Sequence, residues 1–193
     1  MEDRSPLQWA VRPFKRYAEF SGRSSRAEFW WFFLGLFVAY ALAWFLLFGA
    51  MFSSIEASQN NPGAGVIGAI GIGGLLLSLC WLALIIPTIA VQVRRLHDTN
   101  RSGWWLGAFY LLYVLYFVLM FGMMGSVMRA AAPGGATSAA QPSSGFFMGI
   151  MVLGTAMFIY MIVLLVFYCL PGTRGPNRFG EDPYGADVEE VFA

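Results

Sequence analysis

Arg94-Arg95-Leu96-His97-Asp98-Thr99-Asn100-Arg101-Ser102-Gly103-Trp104-Trp105 is a basic turn set between two long apolar runs. The run before it covers 66–93 and the run after it 104–127, and neither contains Asp, Glu, Lys or Arg. Two more runs of the same kind lie at 29–52 and 146–170. A helix of about 20 apolar residues crosses roughly 30 Å of hydrocarbon, so each run is long enough to span a bilayer. A transmembrane barrel would alternate apolar and polar residues over segments of about ten. The four runs therefore predict an all-α integral membrane protein, a four-helix bundle.

Composition agrees. Of 193 residues, 58% are hydrophobic and 12% charged, and the mean hydropathy is +0.62. Soluble domains carry about 25% charged residues, so a chain this apolar needs lipid to cover it. Its net charge of +1 says little about partners, but the distribution of charge says more. Eleven of the twelve Lys and Arg residues fall in 1–28, 94–103 and 171–193, and Arg129 alone falls elsewhere. Cytoplasmic segments are the ones enriched in Lys and Arg. The expected order is thus a cytoplasmic N-terminal segment 1–28, an outer loop 53–65, a cytoplasmic loop 94–103, an outer loop 128–145 and a cytoplasmic tail 171–193. Both termini then face inward (N-in/C-in). The first run is too long for the apolar part of a signal peptide, which spans about 7–15 residues, and reads as an uncleaved span.

Several local features refine this layout. Leu7, Ala10, Val11, Phe14, Tyr17 and Ala18 recur at helical spacing among Arg12, Lys15 and Arg16, the pattern of an N-terminal interfacial amphipathic helix on the inner surface. Pro13 would remove a hydrogen bond inside such a helix, which favours a start near Pro13 over one at Leu7. Ser25 and Glu28 fit a capping box before the first run. Trp30, Trp31, Trp104 and Trp105 sit at inner span ends, where indole rings favour the headgroup level. Gly65, Ala69 and Gly73, like Gly122 with Ser126 and Gly145 with Gly149, have the spacing that lets helices approach closely. The segment 128–145, rich in Ala, Gly, Ser and Pro, is expected to be disordered. Cys80 and Cys169 lie at different depths, too far apart for a disulfide, and read as small packing residues. A faint parallel repeat relates Asn100-Arg101-Ser102-Gly103 to Asn177-Arg178-Phe179-Gly180.

Two more basic stretches accompany the opening one. They are Phe20-Ser-Gly-Arg-Ser-Ser-Arg-Ala-Glu-Phe-Trp-Trp-Phe32 and Pro171-Gly-Thr-Arg-Gly-Pro-Asn-Arg-Phe-Gly-Glu-Asp-Pro183. With the spans between them, the three in this order closely resemble the YhaH-like bacterial inner-membrane proteins, the domain of unknown function 805 family. The resemblance runs from about Trp9 to Pro183. It implies a small multi-spanning protein of the bacterial inner (cytoplasmic) membrane, and it brings no established reaction, ligand or catalytic residue.

In a four-span bundle all three stretches reach one face. They would gather Arg23, Arg26, Arg94, Arg95, Arg101, Arg174 and Arg178 against Glu28, Asp98, Glu181 and Asp182, with His97, Asn100 and Asn177 nearby. One reading is a structural lock in which arginines pair with carboxylates and helix-end carbonyls. A second is a pocket for an anionic group such as a lipid headgroup, since arginine forks suit phosphate oxygens. A third is a docking surface for a protein partner. His97 beside Asp98 does not make an acid–base pair, because neighbours on a helix diverge. It is expected to hydrogen-bond at a helix end, with Asp98 capping the turn that follows. A lone histidine cannot furnish a zinc site of the usual His/Cys kind. No cofactor, metal, catalytic residue or nucleic-acid partner is expected. The expected partners are membrane lipids, anionic headgroups included, with a homo-oligomer left open. The function that fits best is a non-enzymatic scaffold or regulator, with a small transporter or oligomeric channel as the alternative. Ionisable groups, the common mark of ion paths, are missing from the spans, although Ser78, Thr88, Gln92, Thr155 and Tyr160 could line a polar path.

Overall fold

The computed structural model describes residues 5–57, 62–131 and 144–183. Within them the chain is helical: α1 (Pro6–Lys15), α2 (Arg26–Ala57), α3 (Pro62–Asp98), α4 (Trp104–Ala131) and α5 (Ser144–Cys169). The last four are long and apolar enough to cross a membrane. The chain divides into two compact units. One joins the residues up to Asn100 with the tail from Pro171, and the other is Arg101–Leu170. The disorder expected of 128–145 falls mostly on residues outside those described.

α1 starts earlier than Pro13. Ser5 caps it, accepting from the amide of Gln8 at 3.4 Å while the Gln8 side chain accepts from the amide of Ser5 at 3.1 Å. Pro6 at the first helical position costs nothing there, since that amide has no partner to lose. Pro13 lies two residues before the helix ends and removes one bond from its last turn. The start signal outweighs that single loss.

In the first unit α1 packs along α2. The Phe14 and Phe32 rings meet edge-to-face at 5.4 Å, and a Cβ added at Gly35 would lie 3.7 Å from that of Ala10. With Glu28, which pairs with Arg12, these positions form one stripe of α2 at helical spacing. α2 and α3 meet at Gly73, where a Cβ would run into the end of the Leu47 side chain. In the second unit α4 and α5 meet through aromatic rings. Phe109 stacks on Tyr160 at 5.9 Å, Trp105 meets Phe167 at 5.3 Å, and the Tyr160 hydroxyl donates to the Trp105 carbonyl at 2.8 Å. A Cβ at Gly122 or Gly149 would meet nothing within 4 Å. The small-residue spacing on these two helices therefore does not mark their contact, which falls instead where Gly154 meets Tyr116.

The distribution of side chains is inverted relative to a soluble protein. Phe37, Phe45, Leu111 and Met151 are all more than 70% exposed, whereas Glu28, Arg94, Arg95 and Asp98 are fully buried. Soluble proteins almost never bury such groups unless paired, and rarely expose large apolar patches. Cys80 and Cys169 are free and also lie on the exposed surface, so neither is a packing residue.

Candidate functional site

α3 continues as a helix through Arg94, Arg95, His97 and Asp98, so these residues project from its last turns. The helix stops at Asn100, which adopts the left-handed conformation (φ 57°) that asparagine tolerates better than most residues. The segment 16–25 and the tail wrap this helix end, and two ion clusters form between them.

The first cluster is centred on Asp98. Arg23 reaches its Oδ1 through Nε at 3.0 Å and Nη2 at 2.9 Å, and Arg95 pairs with Oδ2. Arg23 also donates to the carbonyls of Thr173 at 2.5 Å and Gly175 at 2.6 Å, and Asp182 stands 3.9 Å from its Nη2. The Asp98 backbone carbonyl receives the Thr173 amide at 2.9 Å and hydroxyl at 3.2 Å. Asp98 therefore does not cap the following turn with its side chain. It binds two arginines, and the tail backbone lies so close that a Cβ at Gly172 would overlap its carboxylate.

The second cluster is centred on Arg94. Its Nη2 meets Glu28 Oε1 at 3.1 Å, and its Nη1 donates to the carbonyls of Glu19 at 3.0 Å and Arg16 at 3.3 Å. Glu28 Oε2 faces Arg12 at 3.4 Å. Half of the expected capping box forms, with the Glu28 amide donating to Ser25 Oγ at 3.1 Å. The carboxylate does not turn back to the Ser25 amide: its Oε1 takes the charge-assisted bond from Arg94, and its Oε2 is left with the ionic contact to Arg12. Arg94 Nε, Ser24 Oγ and Glu28 Oε2 are buried without a hydrogen-bond partner.

The remaining residues fasten the tail. His97 Nδ1 lies 3.2 Å from the Gly22 carbonyl, and its ring stacks on Phe179 at 3.9 Å. Asn177 donates to the His97 carbonyl at 3.0 Å and to the Thr173 hydroxyl at 2.9 Å. Arg178 donates to the Asn100 carbonyl at 3.1 Å and covers the Phe179 ring at 4.6 Å. His97 and Asp98 thus serve different partners, as their helical positions require. Arg26 and Arg174 are exposed. Arg101 belongs to the second unit, where its guanidinium lies 3.9 Å over Phe167.

Sequence reasoning named most of the charged members but missed Thr173, Gly172 and Phe179 as individuals, along with the contribution of Arg12. The clearance needed at Gly172 has no signature in a single sequence. Arg12 was legible only as part of a basic helix.

Four membrane-length apolar helices, with buried arginine–carboxylate clusters at the end of one of them, define an all-helical protein of the membrane class. The chain belongs to the family described as protein of unknown function DUF805, whose pattern matches residues 17–181. It is 29% identical to the inner membrane protein YhaI of Escherichia coli K12 over 92% of this chain and 96% of that protein. It is 28% identical to the inner membrane protein YhaH of the same strain, over 92% and 97% of the two chains. The uncharacterized protein YiiR of that strain is 29% identical over 84% of each. No solved structure matches the chain.

Proposed function

We propose that this chain is a non-enzymatic protein of the bacterial inner membrane, with both termini in the cytoplasm, that acts as a scaffold or regulator through a rigid inner face. The observation that supports this reading is how the buried arginines spend their donors. Arg23, Arg94 and Arg95 bind Glu28, Asp98 and carbonyls of the 16–24 and 173–175 segments. A pocket meant for a soluble anion would leave such forks open toward solvent. Here they close the underside of the unit, which suits a surface that presents a fixed shape to a partner protein or to lipid headgroups. α1 is read as lying at the inner interface, and the orientation follows from the basic segments. The hydroxyls of Ser78 and Thr155 donate to carbonyls of their own helices, which lends no support to a polar path.

The test is native mass spectrometry of the full chain from mild detergent, with melting curves beside it. Arg23→Ala should lower the melting temperature sharply, and Arg174→Ala should leave it unchanged. If Arg23→Ala melts like the parent but loses bound anionic lipid, the clusters are a binding pocket rather than a lock. Solute flux by the purified protein in liposomes would favour the transporter or channel instead.

A further inference from the structure

Pro87 lies inside α3 and has no amide hydrogen. The carbonyl four residues before it, on Ala83, therefore lacks the helical partner it would otherwise have. An unsatisfied carbonyl in a membrane span is strongly disfavoured, since no water is at hand. The hydroxyl of Tyr17 donates to that carbonyl. Tyr17 belongs to the segment just after α1, and this segment is fixed on both sides of it. Arg94 holds the carbonyls of Arg16 and Glu19, and the α1 residues Arg12 and Phe14 are held on Glu28 and Phe32.

The outward side of α1 is bare. Leu7 and Val11, four residues apart, are 77% and 47% exposed, and Phe14 stays 42% exposed beside its contact with Phe32. α1 has no acidic residue; its Arg12 is paired with Glu28, and its Lys15 is exposed. It runs beside the first turns of α2, whose Leu34, Phe37 and Val38 are likewise exposed and apolar. An apolar stripe with an exposed lysine at its end, continuous with the apolar exposed surface of a span, matches an anionic leaflet. Its apolar side chains suit the acyl boundary and the Lys15 ammonium the phosphates.

We propose that α1 is a lipid-engaged clasp: its bare face docks into an anionic leaflet and thereby keeps Tyr17 on the carbonyl that Pro87 leaves open in α3. This deepens the membrane reading above and rests on it. Release of α1 from the leaflet would remove one of the holds on the phenol and loosen α3 at 83–87, so the state of the lipid is passed to a helix whose C-terminal end carries Arg94 and Asp98.

The test uses the full chain in lipid nanodiscs, with Cys80 and Cys169 replaced by serine and a nitroxide placed by Leu7→Cys. Collisions with oxygen report immersion in lipid, and collisions with a water-soluble nickel chelate report exposure. In equimolar phosphatidylcholine and phosphatidylglycerol the label should be rich in oxygen collisions and shielded from the chelate. Phosphatidylcholine alone should raise chelate collisions several-fold, at about fivefold in binding per cation near the surface. Tyr17→Phe should also raise them, by about threefold to tenfold, the effect of one net hydrogen bond. In a Pro87→Ala background, where Ala83 regains an amide partner, Tyr17→Phe should change nothing. The clasp is refuted if the chelate reaches Leu7→Cys freely in the anionic discs, or if both lipids give equal immersion. It is equally refuted if Tyr17→Phe has no effect, or the same effect with and without Pro87. A second label at Phe45→Cys, in the middle of α2, separates the two failures: chelate access there would bring down the membrane reading itself.

Discussion

Asp98 shows what a single buried group demands. Two guanidinium groups converge on its carboxylate, and the tail backbone closes over it at Gly172. Removing one partner of such a set leaves charge without compensation in a desolvated site, which costs about 3–5 kcal/mol. Asp98→Asn should therefore destabilise the purified protein by that amount in detergent unfolding, whereas Asp182→Asn, at the partly exposed edge, should cost far less. Gly172→Ala puts a methyl group where the carboxylate sits. It is expected to lower stability by about 1–3 kcal/mol, as overpacking does, and thermal melting of the variant checks it. The residue types at this site were legible in the sequence, because arginines and carboxylates near span ends need partners. The pairing was not, since it depends on which of several arginines lies within reach.

At the scale of elements, starts and stops follow local chemistry. Ser5 with Pro6 begins α1, Ser25 begins α2, and Asn100 ends α3. The expectation for Pro13 failed because a proline in a last turn removes one bond only. The capping box at Ser25 was half right, because Glu28 found Arg94 and Arg12. Two outcomes follow from that division. Ser25→Ala should cost about 1 kcal/mol, the ordinary worth of an N-cap. Glu28→Gln should cost about 3–5 kcal/mol, since it strands Arg94 in a buried site. Denaturant titration of both variants distinguishes the two, and equal losses would mean that Glu28 acts only as part of the cap. The helix ends also extend beyond the apolar runs, and at α3 this carries Arg94 through Asp98 on helical geometry.

For the molecule as a whole, the proposed orientation makes a direct prediction. A phosphatase active only outside the cytoplasm should be silent when fused after Ala193 and active when inserted in 53–65, and the reverse pattern would invert the topology. The sequence by itself determined the class of protein, because four runs free of charge can be solvated only by lipid and can satisfy their backbone only as helices. It also determined the family, through three basic motifs spread along the chain. Tertiary structure alone decided that Arg23 and Arg95 share Asp98 while Arg94 takes Glu28, that the tail needs glycine at 172, and that Tyr17 meets the carbonyl freed by Pro87. Hydrophobic length is a property of neighbours in sequence, so composition reveals it. A contact between residues 66 or 75 positions apart exists only once the chain has brought their side chains within reach.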